Sequence, residues 1–192
     1  VVLLVKNIHG YKHLCRLITQ ARRRTTKGEY QFFKEDLGDC PPGLLVLLCP
    51  NPFTSKSTLT ALFRWSAARF SGRLGVIYCS RKQGFDAEEL LRLQALAGTL
   101  NIPVLASQDA IMHNREQKTL HDILTAIRCN QNLNDARLCL EPNAERSLKS
   151  MVELQLLYPS TLLENTLEWA DSCQFSMNEL KYQYPKIGRA HV

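Results

Sequence analysis

The feature that most constrains this chain is a repeated switch between short apolar runs and longer segments of helical period. Val1–Val5, Leu44–Cys49, Leu74–Cys79 and Ile102–Ala106 are each short and almost without polar residues, as expected of strands covered on both faces. Between them lie segments that read as helices. Asn7–Arg24 places Tyr11, Leu14, Cys15 and Ile18 on one stripe, with Lys12, Arg16, Gln20 and Arg23 opposite. Thr54–Phe70 aligns Leu59, Leu62, Phe63, Ala67 and Phe70, and Asp86–Leu100 aligns Leu93, Leu96, Ala97 and Leu100 behind Asp86 as N-cap. Leu120, Ile123, Leu124 and Ile127 define a fourth helix, and Gln31–Asp39 holds a shorter one.

Strand–helix repeats at this spacing predict parallel strands joined by right-handed crossovers, in either a β/α barrel or an open doubly wound sheet. In both, the residues just after each strand form the working face, here Pro50–Ser57, Ser80–Gly84 and Ser107–His113. The rhythm changes near residue 130. Ser150-x-x-Glu153 and Thr161-x-x-Glu164 are capping-box patterns for two further helices, the second with Leu163, Leu167 and Ala170 as its apolar face.

Composition narrows the class. With 45% hydrophobic and 22% charged residues, the chain is neither disordered nor fibrous. No apolar run approaches the roughly 20 residues that span a bilayer. The seven cysteines include no Cys-x-x-Cys pair, and several sit in apolar runs, so reduced thiols and a cytoplasmic location are expected. The net charge of +6 is modest and its acids are interspersed, which says little about partners. Lys186–Val192 has no apolar period and ends in Ile-Gly-Arg-Ala-His-Val, the translation of a common sequencing adapter; 186–192 is read as an adapter-derived tail. With no initiator Met and an immediate strand, the chain reads as a piece of something longer.

Three motifs invite chemistry. Ser55-Lys56-Ser57-Thr58 follows a strand, but Pro50-Asn51-Pro52-Phe53 lacks the glycines of a phosphate loop, so helix capping by Thr54 or Ser55 is the better account. Cys79 at a strand end lacks the Arg six residues on that a cysteine phosphatase needs; Phe85 stands there, and a structural thiol is expected. Asp109 and His113, with His121 and Asp122, sit where metal-dependent hydrolases place ligands. The other reading is a polar turn, with Asp109 capping and His113 solvated. The basic face Lys12/Arg16/Arg23, extended by Arg22, Arg24 and Lys27, is either a contact for nucleic-acid phosphates or a solvated helix face.

The order of several motifs resembles one family. Leu3-Leu4-Val5-Lys6-Asn7, Gly10-Tyr11 and Leu14-Cys15-Arg16-Leu17 are similar to a segment of bacterial DNA polymerase III alpha (DnaE-type) chains, and Lys27–Tyr30 and His121–Arg128 continue the similarity. Pro142–Lys149 and Phe175–Pro185 resemble the error-prone, DnaE-like branch. The resemblance runs from residue 1 to 185. It implies an α/β fold, a partial distorted β/α barrel of PHP (polymerase and histidinol phosphatase) type with a short helical C-terminal extension. Residues 1–130 would be the later part of the barrel, and 131–185 a helical segment leading toward the polymerase palm.

The implied function is a fragment of an error-prone (translesion) DNA-directed DNA polymerase, acting in DNA repair and damage-induced mutagenesis. Its implied partners are DNA, deoxynucleotides, the sliding clamp and translesion accessory proteins, with no membrane. Magnesium would serve the palm, which lies outside this chain. Within the family's Asp-x-His strand end, Asp109 keeps the acid but Ile111 replaces the metal-binding His; His113 matches a second His of the error-prone branch. Asp109 and His113 are thus candidate ligands of a vestigial PHP metal centre, and the fragment alone would be inactive. The alternative is a stand-alone PHP metal-dependent phosphoesterase, which would need a complete set of His and carboxylate ligands.

Overall fold

The computed structural model describes residues 1–38 and 41–181. Cys40, the Tyr182–Pro185 end of the family motif and the Lys186–Val192 tail lie outside the described residues. The described residues form a mixed α/β fold with a four-stranded sheet and six α-helices, in the order β1(Val2–Val5), α1(Ile8–Arg23), β2(Leu44–Leu48), α2(Lys56–Arg69), β3(Leu74–Tyr78), α3(Asp86–Gly98), β4(Val104–Ala106), α4(Lys118–Arg128), α5(Met151–Leu157) and α6(Ser160–Asp171). The strand order is β1-β2-β3-β4. β2 pairs with β3 and β3 with β4 in parallel, in register Leu48↔Val76 and Ile77↔Leu105, as the alternation predicts. All five residues of β2 are buried, which its lack of a polar face requires.

The chain divides into two compact units. The first contains Val1–Val2 and Val46–Ala170. Its core is built on Val46, Leu48, Leu59, Phe63, Phe70, Val76 and Leu93, all fully or almost fully buried. Gly75 in β3 is required there. A Cβ at that position would lie 2.7 Å from Leu105 Cδ1 and 3.0 Å from Trp169 Cη2, so the bare backbone lets the indole of α6 settle on the strand.

α6 also finishes the sheet. In β4, the groups of Val104 and Ala106 that point away from β3 are taken by helix side chains. Asn165 Nδ2 donates to Val104 O at 2.9 Å, and Thr166 Oγ1 accepts the Ala106 N–H at 3.0 Å. These side chains satisfy an edge that would otherwise present unpaired peptide groups.

The second unit contains Leu3–Leu45 and the chain from Asp171. Asn7 caps α1, its Oδ1 accepting from His9 and Gly10 N–H, both at 3.1 Å. Gly10 is where α1 meets the turn before β2: an added Cβ would lie 1.9 Å from Gly43 O. That contact turns the small-residue face of α1 inward. Gly10, Leu17 and Ala21 are therefore its buried positions, and the expected stripe of Tyr11, Leu14, Cys15 and Ile18 is not; Ile18 is 51% exposed. Tyr11 instead stacks on Phe175, ring centroids 4.8 Å apart.

Four other expectations are corrected. Phe85, not Asp86, is the residue before α3, because the Asp86 carboxylate is drawn back to the loop after β3. Ser150 does form the capping box of α5, but α6 begins at Ser160, which places Thr161 inside its first turn. Leu162 is the buried residue of α6, with Leu167 left exposed. On α4 the inward positions are Thr125 and Ala126, and Leu120, Ile123, Leu124 and Ile127 are exposed.

Candidate functional site

A cavity of about 540 Å³ opens at the carboxyl ends of β2, β3 and β4, where the strand-end rule places a working face. Its lining includes Pro52 and Phe53 after β2, Arg81 and Phe85 after β3, and Ser107 and Asp109 after β4. All belong to the first unit.

The walls are held by side chains from neighbouring helices. Arg92 of α3 donates from Nη1 to Thr54 O and from Nη2 to Pro52 O, both at 2.9 Å, fixing the loop after β2. Its Nη2 also lies 2.6 Å from Glu89 Oε2. Glu89 is mostly buried, and desolvation raises its carboxyl pKa against the opposing pull of Arg92. Asp86 Oδ2 accepts from Ser80 Oγ at 2.9 Å and from Arg81 N–H at 2.8 Å, so the first residue of α3 folds the loop after β3 onto the helix. Tyr158, which follows α5, reaches both strand ends: its hydroxyl accepts from Ser80 N–H at 3.1 Å and donates to Ser107 O at 2.7 Å. Burial pushes its phenol pKa up to about 12, so this hydroxyl keeps its proton.

Asp109 is the centre of charge. Its backbone is left-handed (φ 46°), an uncommon conformation for a residue with a side chain. Its Oδ2 lies 2.6 Å from Arg81 Nη2 and 3.0 Å from Arg146 Nη2. Arg146 Nε also donates to Asp109 O at 3.0 Å, and its Nη1 binds Glu141. Those acidic partners raise the Arg146 pKa against burial, the largest single influence on it.

Arg146 belongs to Pro142–Lys149, and that whole segment straps the loop after β4. Ile111 and Met112 donate N–H to Arg146 O at 2.8 and 3.1 Å, Met112 forms a parallel bridge with Ser147, and Lys149 N–H reaches Gln108 Oε1 at 2.8 Å. Asn143 Nδ2 donates to Arg81 O at 2.8 Å. The Lys149 side chain is buried, donates to Glu145 O, and has its pKa lowered by desolvation.

This arrangement does not fit a metal. The Asp109 carboxylate is faced by two cations, Ile111 has no donor atom, and His113 is exposed. His121 and Asp122 lie together on α4, with Nδ1 3.9 Å from Oδ1, and Asp122 is also paired with Lys118. Among the described residues, no group of three or more His, Cys, Asp or Glu side chains is placed to hold a metal ion.

The other sequence candidates are placed simply. Ser55 caps α2, its Oγ accepting from Thr58 N–H at 3.2 Å. Cys79 is half-buried and its thiol pKa is pushed up to about 11 by burial, which suits a structural thiol. Lys12, Arg16 and Arg23 are exposed on α1 in the second unit. Arg24, beside them, is committed to a two-pronged pair with Asp36 at 2.5 and 2.7 Å. No described helix is long and apolar enough to cross a membrane. Tyr158 and Arg146 are the site residues that residue-type reasoning missed; Arg146 lay within a motif singled out by resemblance, while nothing local marked Tyr158.

The architecture and cavity define an α/β protein whose candidate working face lies beyond the carboxyl ends of parallel strands, with an arginine-held carboxylate at its centre. No family model matches the chain. It is 45% identical over 185 residues to an error-prone DNA polymerase of Pseudomonas fluorescens (strain Pf0-1), 39% identical over 185 residues to that of Pseudomonas aeruginosa, and 38% identical over 192 residues to that of Dechloromonas aromatica (strain RCB). Each match covers 96% of this chain and 18% of the relative, so the chain spans less than a fifth of the length of the curated relatives it matches. The sequence is thus homologous, almost end to end, to one segment of error-prone DNA polymerases.

Proposed function

We propose that this chain is part of an error-prone, translesion DNA-directed DNA polymerase acting in DNA repair, and that it supplies a PHP-type β/α scaffold outside the nucleotidyl-transfer centre. The observation that carries this reading is identity of 37–45% sustained across 96% of the chain to proteins of that name. Residues 1–130 are then the later part of the barrel and 131–185 the helical approach to the palm. DNA and deoxynucleotides are the partners of the whole polymerase, together with a sliding clamp and translesion accessory proteins. Magnesium, when bound at palm carboxylates, supplies activation of the primer 3′-hydroxyl and charge stabilisation of the leaving pyrophosphate. No residue of this chain carries that step.

Within the scaffold, Asp109 and His113 are remnants of a PHP metal centre. The pairing of Asp109 with Arg81 and Arg146 supports this, because two guanidinium groups already supply the positive charge that a metal would bring. A stand-alone phosphoesterase is not favoured, since it would depend on the ligand set that Ile111 interrupts. Lys12, Arg16 and Arg23 contribute sequence-independent contacts to DNA phosphates.

The reading frame recovered from the source DNA tests the assignment. It should continue into a palm with paired aspartates, and a frame that stops soon after residue 185 overturns it. The metal reading is tested by metal analysis of the purified polymerase: manganese or zinc at stoichiometric occupancy, lost on Asp109→Ala, sinks it. Replacing Lys12, Arg16 and Arg23 together by Ala should weaken DNA binding and flatten its salt dependence; an unchanged affinity and slope reduces that face to a solvated one.

A further inference from the structure

We propose that Tyr30 and Phe32, set against the basic end of α1, form a stacking platform for the bases of single-stranded DNA. The inference rests on the reading that Lys12, Arg16 and Arg23 contact DNA phosphates, and it names the strand form that this face takes. Arg22, Arg23, Arg24, Lys27 and Lys34 are five cations within residues 22–34, where Glu29 is the one acid. Three aromatic rings lie in the same stretch and reach solvent: Tyr30 is 71% exposed, Phe33 43% and Phe32 39%. All of these residues belong to the second unit.

Hydrogen bonds hold the segment in place. Gly28 turns the chain after α1 with a backbone φ of 100°, which glycine adopts without steric cost. Gln31 N–H then returns to Ala21 O at 3.0 Å, which lays the segment against the last turn of the helix. Arg24 grips it from the other end: it pairs with Asp36 through both Nη atoms, and its Nη1 also donates to Gln31 O at 3.4 Å. The Arg24 guanidinium carbon lies 5.0 Å from the centre of the Phe33 ring, and Asp36 Oδ2 accepts the Phe33 N–H at 2.8 Å. Phe33 is thereby an anchor with Arg24 over its ring. Tyr30 and Phe32, on either side of the tied Gln31, are the rings presented to a ligand.

Cations on phosphates do not distinguish one strand from two, but aromatic rings do. Every base has a π face that is open in a single strand and covered by its neighbours in a duplex, so stacking selects the single strand without reading its sequence. Because the segment is tied before binding, little ordering entropy is spent in presenting the rings. An anionic lipid surface would share the charge preference. Two rings separated by Gln31, one of them only 39% exposed, offer too little apolar area to hold a bilayer, which favours DNA.

The test measures the anisotropy of fluorescein-labelled oligothymidylate, and of a mixed-sequence duplex of equal length, on the whole chain across a salt series. The parent should bind the single strand more tightly. Tyr30→Leu with Phe32→Leu keeps apolar bulk at exposed positions and removes the π faces. It should weaken single-strand binding at least about tenfold, with duplex binding and the salt slope unchanged. Tyr30→Phe with Phe32→Tyr should bind as the parent does. Lys12→Ala, Arg16→Ala and Arg23→Ala together should weaken both forms and flatten the slope. Full single-strand affinity in the leucine variant, or an equal loss on duplex, overturns the platform and leaves the basic face standing. A charge variant that binds both forms like the parent overturns the phosphate reading instead. Loss of binding to phosphatidylglycerol vesicles in the leucine variant, with single-strand affinity unchanged, overturns the platform in favour of a membrane contact.

Discussion

The hydroxyl of Tyr158 donates to the carbonyl oxygen of Ser107 at 2.7 Å while accepting the Ser80 N–H at 3.1 Å. One oxygen atom therefore joins the ends of two adjacent parallel strands from a residue 51 positions beyond Ser107. The pairing is buried, with Tyr158 only 4% exposed, so both peptide groups depend on it. Tyr158→Phe keeps the ring packed on Tyr78 but strands both groups. It should lower stability by about 1–3 kcal/mol, read as a shift in the urea midpoint at an unchanged slope. A midpoint equal to the parent's would show that water replaces the phenol.

Arg146 should matter more than Arg81, although both touch the same carboxylate. Arg146 is the more buried, 20% exposed against 36%, and it also holds Glu141 and the Asp109 carbonyl. Arg146→Met should cost about 1–2 kcal/mol and release the loop after β4, seen as faster amide exchange at Ile111 and Met112. Arg81→Met, at a pair more than a third exposed, should cost well under 1 kcal/mol. The reverse order of stabilities would contradict the strap described for Pro142–Lys149.

Acid should act on the second unit through Asp36. The Arg24 guanidinium first, and then the Phe33 N–H, hold its carboxyl down at about 2, below the 3.8 of an unperturbed Asp. A carboxyl depressed in the fold contributes stability that is fully present above pH 4 and is lost as pH falls toward 2. Asp36→Asn should remove that part of the acid dependence. A titration of the Asp36 carboxyl carbon by NMR should give a midpoint near 2; a midpoint near 4 would mean that the pair with Arg24 does not persist in solution.

Gly75 offers a test of packing without charge. Gly75→Val places branched carbon where Leu105, Leu47 and Trp169 already sit. It should destabilise by about 1–3 kcal/mol or more and change the tryptophan fluorescence, because α6 cannot keep its seat on the strand. Unchanged emission and stability would mean that Trp169 does not pack there.

The sheet and its order of helices were legible because buried parallel strands leave a plain mark, apolar runs with no alternation. The working face followed from the topology alone. Helix orientation was less legible. On α1, larger apolar side chains suggested one face, but Gly10 against Gly43 set the rotation through a backbone contact that no hydrophobic period encodes. On α4, Leu120, Ile123, Leu124 and Ile127 gave a regular stripe, and the structure turns Thr125 and Ala126 inward instead. Asp109 was identified by its place after β4, yet its two arginine partners come from positions 28 residues before it and 37 after it, a distance over which sequence spacing carries no information.

The side chains of Asn165 and Thr166 have a consequence beyond local bonding. They occupy the donor and acceptor positions on β4 that an incoming strand would use. Another polypeptide cannot extend the sheet on that side without first prising α6 away, so that border is closed to fibril-like growth.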